Sequence, residues 1–445
     1  MWFLKRIVRM ARPYDVYTCY RFTFILALLL GIVPYKVTTS AVGRGTLTPS
    51  YFGYSNMIAR MCLYFGNFLY CVINQETLAT NFFPSDISNV IDGLQKINGM
   101  IGVFTILVFS FVKRENITKL LAIFDGLERE SFPRVGVALH QLPAARKMNN
   151  LVLFLTGTMA TYIGCSFVLI NLRDAAKFSI TSSISYFSPH IIVCAVGFLT
   201  TNLILKLRIY FCALNKVLKN LAHQWDNRSL KAVTQKQRSL QCLDSFSMYT
   251  IVTKDPAEII QESMEIHHLI CEAAATANKY FTYQLLTIIS IAFLIIVFDA
   301  YYVLETLLGK SKRESKFKTV EFVTFFSCQM ILYLIAIISI VEGSNRAIKK
   351  SEKTGGIVHS LMNKTKSAEV KEKLQQFSMQ LMHLKISFTA AGLFNIDRTL
   401  YFTISGALTT YLIILLQFTS NSPNNGYGSG YPCCENYNNI TNHTL

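Results

Sequence analysis

Charge is scarce in this chain of 445 residues: 16% are Asp, Glu, Lys or Arg, against 51% hydrophobic, with a mean hydropathy of +0.34. Soluble domains of about 150 residues each would need polar surface that this composition does not supply, so one membrane domain is the simpler reading. Acidic residues are the scarcer charge: 43 Lys and Arg stand against 26 Asp and Glu, a net of +17. Such an excess fits either nucleic acid or the positive loops of a membrane protein, and only its placement decides. The basic stretches lack interleaved aromatics, which argues against single-stranded nucleic acid. No pair of His at i and i+4 encloses a Glu, no Gly-rich phosphate loop is present, and no internal repeat is visible, so no catalytic constellation, metal centre or cofactor is implied. The eleven Cys lie mostly inside apolar stretches, without the paired spacing of a zinc or disulfide framework. Cys433 and Cys434 sit in a Gly/Asn/Tyr-rich tail and could bridge if that tail is extracytoplasmic, although neighbouring cysteines rarely pair.

What the chain has in abundance is long apolar runs. About 20 such residues cross a bilayer as a helix. Five runs are plain: 151–172, 184–205, 281–304, 322–341 and 400–418. A sixth, 51–73, carries Arg60 in its middle, and a seventh, 87–112, starts amphipathic, with Asp92 and Lys96 one helical turn apart. The run 22–33 before Pro34 is too short to span and reads as an interfacial or re-entrant segment; its polar lead and weak cleavage site argue against a signal peptide.

With the N-terminus inside, the segments 1–50, 113–150, 206–280 and 342–399 face the cytoplasm, and they hold 34 of the 43 Lys and Arg. The basic loop 306–319 dissents from that orientation. Sequons at Asn439 and Asn442 in the tail 419–445 agree with it. The expected fold is an all-α integral membrane protein with seven transmembrane helices, N-terminus cytoplasmic, C-terminus extracellular, and cytoplasmic helix extensions. Within 342–399, the residues Val370, Leu374, Phe377, Leu381, Leu384 and Phe388 recur at helical spacing as a seam. It belongs either to solvated connecting helices or to a subunit-assembly domain. Ile259, Ile266, Ile270 and Ala273 form a similar stripe ahead of the fifth span, with His267 and His268 on an expected solvated face. Gly392 and Asn395 interrupt the helix before the last span.

That last span contains Thr410-Tyr411, five hydrophobic residues and Gln417-Phe418. This resembles the signature of the insect gustatory receptor family, and the stretch 388–407 ahead of it is similar as well. The resemblance runs from the middle of the chain to its end; the first 200 residues match more loosely in span order and loop lengths. It implies a seven-span protein of the plasma membrane of sensory neurons, a tetramer of one or several related chains, and a cation channel opened by a small-molecule tastant. It further implies that 400–418 lines the pore behind six peripheral helices, that 342–399 holds the tetramer together, and that ligands bind among the peripheral helices on the outer side. Related branches are linked to bitter compounds, ribonucleosides, warmth and light. Direct light capture by membrane-embedded tryptophan is unsupported, because Trp2 and Trp225 both lie outside the spans.

The residues themselves are compatible with this but do not require it. Thr403, Gly406, Thr410, Ile413 or Ile414 and Gln417 share one mildly polar stripe of the last span, which could line a pore with Phe418 as constriction or pack against another helix. Asp299, Tyr301 and Tyr302 fall at the outer end of the fifth span, and Tyr186 and His190 at that of the fourth. They are either ligand-binding residues or structural anchors and an aromatic belt. A secondary transporter would show halves related by repeat, and a G-protein-coupled receptor would have the opposite orientation.

Overall fold

The structure, a computed structural model, describes residues 15–39, 45–74, 86–139, 141–172, 180–229, 254–308 and 319–421. Asp15 opens the first helical turn α1 (Val16–Cys19) through a reciprocal cap with Thr18, and α2 (Arg21–Leu29) follows at once. At nine residues α2 is about 14 Å long, too short to span. It lies on the bundle through Tyr20 and Phe24, while Phe22, Ile25 and Leu29 point away from the protein. A two-stranded antiparallel ribbon comes next, β1 (Tyr35–Thr39) with β2 (Gly45–Pro49). The all-helical expectation did not include it, though the β-branched residues of both strands are its signal.

Two helices then follow the sequence reading closely. Ser50 caps α3 (Tyr51–Ile73), whose ends coincide with the expected sixth run, and α4 (Asp86–Val112) matches the seventh. Gly53 lets α3 pass close to the preceding chain: a Cβ there would sit 2.8 Å from the Pro34 Cα. After α5 (Arg114–Gly126) and a π-helical turn, Leu127–Ser131, come four long helices: α6 (Gln141–Leu172), α7 (Ile180–Ser229), α8 (Pro256–Leu307) and α9 (Thr319–Lys364). The chain closes with α10 (Ala368–His383), a small ribbon of β3 (Thr389–Ala390) with β4 (Phe394–Asn395), and α11 (Thr399–Asn421). Among the described residues, α3, α4, α7, α8, α9 and α11 are long and apolar enough to cross a membrane, and α6 carries a shorter apolar stretch, Val152–Val168.

The polar extensions of α7, α8 and α9 continue well past their apolar runs and pack together at one end of the bundle, here called basal. Asn215 of α7 joins both sides of this packing, donating to the Lys350 carbonyl and accepting from the Thr354 hydroxyl, each at 2.8 Å. The α8 stripe of Ile259, Ile266, Ile270 and Ala273 is buried as the periodicity predicts. His267 is not solvated as expected. It is enclosed by Phe211 and Phe377, with Gln380 near Nδ1 at 3.4 Å and Cys271 Sγ near Nε2 at 3.6 Å. The position next to charged residues misled the reading; helix α10, docked on this side of α8, is what covers it.

Docking of α10 also changes the reading of the seam. Val370, Leu374, Phe377 and Phe388 are buried within a single chain, against α8 and α9, so this stripe is already filled without a second subunit. Leu381 and Leu384 are half-buried and line a cavity of about 300 Å³ with Ile348 and Ile386. Met379 and Met382, on the outer face of α10, remain exposed.

Beside the basal packing, Lys206 of α7 and Glu128 of the π-helical turn form an ion pair of 2.6 Å that is almost wholly buried. The Tyr210 hydroxyl donates to the same carboxylate at 2.8 Å. Burial pushes the Glu128 carboxyl above its ordinary value, against the pull of the ammonium beside it. Lys206→Met strands this carboxylate and should destabilise the fold by about 3–5 kcal/mol, whereas adding Glu128→Leu should recover most of that loss. Thermal unfolding of the detergent-solubilised chain checks both.

His267 gives a second prediction. Burial, helped by His268, lowers its imidazole from 6.5 to about 4. The unfolded chain therefore binds the extra proton first, so stability is complete above about pH 6.5 and falls as pH drops toward 4, by on the order of 3 kcal/mol. His267→Gln should flatten that part of the stability profile measured by thermal unfolding against pH.

Candidate functional site

At the opposite, apical end, polar side chains from three helices meet in an apolar setting. Polar groups at this depth are costly unless paired. Pro189 and His190 follow Tyr186 by one turn of α7, which sets both Tyr186 and His190 toward α9. There Gln329 serves as a hub. Its Oε1 accepts from the hydroxyls of Tyr162 (2.9 Å) and Tyr186 (2.5 Å), and its Nε2 donates to His190 Nε2 at 2.7 Å. That bond places the imidazole proton on Nδ1, which finds no partner among the described residues. Tyr333 lies one turn below Gln329, its ring 5.4 Å from that of His190.

Helix α8 supplies the other wall. Asp299, Tyr301 and Tyr302 are all buried, inside an aromatic cluster with Phe187, Phe322, Phe325 and Phe326. Tyr302 lies 5.1 Å from Phe326 between ring centroids, and Tyr162 lies 5.8 Å from Phe325. Asp299 Oδ2 has no hydrogen-bond partner among the described residues, and the carboxyl is within electrostatic reach of Tyr162 and Tyr333. The five candidates of the fourth and fifth spans are thus brought into one cluster, none of them as an exposed belt. Between α6 and α9 a groove of about 890 Å³ opens sideways; Tyr162 and Phe325 form part of its wall, so it adjoins the cluster from outside.

Gln329 and Tyr162 were not singled out from the sequence. The available signal was a lone Gln in the apolar run 322–341, where each polar side chain needs partners. Arg60 does not join the cluster: it is exposed on α3, with Nε on Asn56 at 3.3 Å, and Asn56 in turn caps the carbonyls of Leu28 and Leu29.

The second feature is α11, in which few side chains are fully buried within one chain. Leu408, Leu412 and Leu415 lie against the rest of the protein, and Tyr411 packs edge-on against Phe293 of α8 at 5.9 Å. Thr410, Ile413, Ile414 and Gln417 are left exposed. The hydroxyls of Thr409 and Thr410 turn back onto their own helix, bonding the carbonyls of Ser405 and Gly406. The side chain of Phe418, the sequons at Asn439 and Asn442, and Cys433 and Cys434 fall outside the described residues.

The profile of the 7tm chemosensory receptor family matches residues 20–422, and the chain belongs to that family. Within it the chain is 59% identical over 443 residues to gustatory receptor 28b of Drosophila melanogaster, covering 99% of this chain and 94% of that one. It is accordingly a gustatory-type insect chemosensory receptor, a multi-pass membrane protein and not an enzyme. In fold it is similar to the insect olfactory receptor OR5 from Machilis hrabei, with a TM-score of 0.58 at 12% identity over 91% of this chain and all of that one. The same receptor in complex with eugenol aligns with a TM-score of 0.55 at 13% identity, over the same shares of both chains.

Replacing the hub tests the cluster as structure. Gln329→Leu takes the shared hub away from His190 Nε2 and the Tyr162 and Tyr186 hydroxyls, at about 1–3 kcal/mol for each group left unpaired in the apolar interior. Gln329→Glu should cost less, because Oε1 and both tyrosine donors persist. Thermal unfolding of the two purified variants ranks them.

Proposed function

We propose that the chain is a subunit of a tastant-gated cation channel, with the ligand held at the apical cluster and α11 lining a central pore. The observation that carries this reading is the uncovered α11: a helix apolar enough for the bilayer, yet with Thr410, Ile413, Ile414 and Gln417 along a side that its own chain does not use. Four copies around an axis would cover that side and leave uncharged dipoles from Thr410 and Gln417 facing water, with Ile413 and Ile414 narrowing the path. Without a ring of Asp or Glu, such a pore discriminates weakly among cations. Met379 and Met382, exposed on the outer face of α10, are available for contacts between such copies.

For the ligand, the cluster offers a carboxyl oxygen of Asp299 without a partner among the described residues, aromatic faces, and the Gln329 hub that a hydroxyl or amine can re-pair. That chemistry suits small amines and planar polar molecules. Eugenol, the ligand named for the structurally similar olfactory receptor, is a planar phenol of the same general kind. The distribution of basic residues supports an N-terminus inside and a C-terminus outside, with the apical cluster on the outer face. That orientation sets the reading apart from a G-protein-coupled receptor.

Excised patches from cells expressing this chain alone, without added nucleotide, are the direct test. A panel of alkaloids, nucleosides and phenols, with warming and illumination as further stimuli, should open a weakly selective cation conductance. Asp299→Asn should then raise the half-maximal concentration of cationic agonists more than that of neutral ones, by about tenfold for one lost ionic contact. Gln417→Glu should increase divalent over monovalent permeability. Unchanged selectivity in a surface-expressed Gln417 variant would remove α11 from the pore.

A further inference from the structure

The root of α11 is packed into the core through Ile396 and Leu400 and is fastened by polar contacts on two sides. On one side the β3–β4 ribbon is tied to α8 by neutral hydrogen bonds. Asn278 bonds the Thr389 backbone and hydroxyl at 3.0 and 3.1 Å, and the Thr282 hydroxyl accepts from the Ala391 N–H at 2.8 Å. The turn of this ribbon holds Ala391 and Gly392 at positive φ of 51° and 74°, closed by the Leu393 N–H on the Ala390 carbonyl at 2.9 Å, which fixes where the chain emerges. Asp397 then caps α11, accepting from the Thr399 N–H at 2.8 Å.

On the other side stands Arg398, the residue just before α11. Its guanidinium forks onto both carboxylate oxygens of Glu342, Nε to Oε1 at 2.8 Å and Nη2 to Oε2 at 3.1 Å. Arg346 approaches the same carboxylate from one turn further along α9, at 3.3 Å. The arginine hydrogen bonds hold the Glu342 carboxyl below its ordinary value, so it stays ionised at neutral pH.

Glu342 sits on α9, the helix that carries Gln329 of the apical cluster. They stand 13 positions apart on uninterrupted helix, a rise of about 20 Å. We propose that Glu342 and Arg398 are the positioning pair that passes movement of α9 at the apical cluster to the root of α11. This rests on reading α11 as the pore helix. The geometry favours it because the ribbon side is anchored to α8 by short neutral bonds, while the fork is a two-point charged link that resists rotation as well as separation. Its solvent exposure makes it a poor source of stability but leaves its geometric role intact. The effect of losing it is modest in one chain and compounds over several copies.

The test measures spontaneous open probability, and the current evoked by eugenol and by a warming ramp, for wild type, Glu342→Gln, Arg398→Gln, Arg398→Lys and the swap Glu342→Arg with Arg398→Glu. Surface expression and thermal midpoint are followed in parallel. Each neutralising variant should change open probability by about tenfold with little change in surface level or midpoint, the range typical of coupling between two sites. Arg398→Lys, which keeps the charge and loses the fork, should fall between, and the swap should return toward wild type. Wild-type currents with variants indistinguishable from wild type would overturn the pair's role and leave the channel reading standing. Loss of current together with loss of surface protein in both the variants and the swap would reduce the pair to a structural contact and overturn the proposal. Absence of any wild-type conductance would remove the channel reading and the coupling with it.

Discussion

The three long helices α7, α8 and α9 pack on one another through apolar contacts, and most other elements of this molecule dock on that core. The contact runs through both the lipid-facing part of the chain and the basal extensions, so the two regions are one continuous packing and not two domains joined by a hinge. In the bilayer, helices gain little from hiding apolar surface, because lipid is as apolar as leucine; there the contact relies on fit. The basal extensions carry many charged side chains, and where such faces meet water the burial of Ile259, Ile266 and Ile270 is directly favourable. Helices α4, α10 and α11 and the β3–β4 ribbon all dock on surfaces of α8.

Polar side chains inside this packing are paired to different degrees. At the basal end Lys206, Glu128 and Tyr210 satisfy one another, as do Asn215, Thr354 and the Lys350 carbonyl, while Ser263 Oγ, Asn220 Nδ2 and Asn345 Nδ2 find no partner among the described residues. In the apical cluster the polar groups converge on one hub. Gln329 is shared by three partners, while His190 Nδ1 and Asp299 Oδ2 have none among the described residues. A buried network with spare valences is poor for stability and suits recognition, since an incoming polar group has bonds to make.

The spans were legible because a run of about 20 apolar residues has one physical meaning in a membrane protein; α3 begins and ends where the hydropathy does. The α8 stripe was legible because helical periodicity survives in water. What periodicity does not tell is which partner covers a stripe. The spacing from Val370 to Phe388 reads as one helical stripe, yet α10 ends at His383: Val370, Leu374 and Phe377 are covered by the same chain's α8 and α9, and Phe388 is buried beyond the helix end. His267 was misread for the same reason, since α10 returns to cover it from over a hundred residues away. Tyr186, His190, Asp299, Tyr301 and Tyr302 were found as unusual residues at the ends of apolar runs. Their hub, Gln329, sits mid-run, and its role depends on helix rotations that composition does not carry. The β1–β2 ribbon was lost to a prior for helix that β-branched residues such as Val37, Thr38 and Thr39 should have weakened.

A last helix that its own chain scarcely covers has a bearing on how such receptors are made. Because α11 is apolar enough to rest in hydrocarbon, an unpartnered protomer can remain inserted instead of unfolding. If the chain assembles through α11 as proposed, partner choice becomes an equilibrium in the plane of the membrane, governed by how many copies of each compatible chain share that area. A cell expressing several related receptors would sample mixed assemblies in proportion to their surface densities, and the abundance of each chain would set the tuning of the whole set.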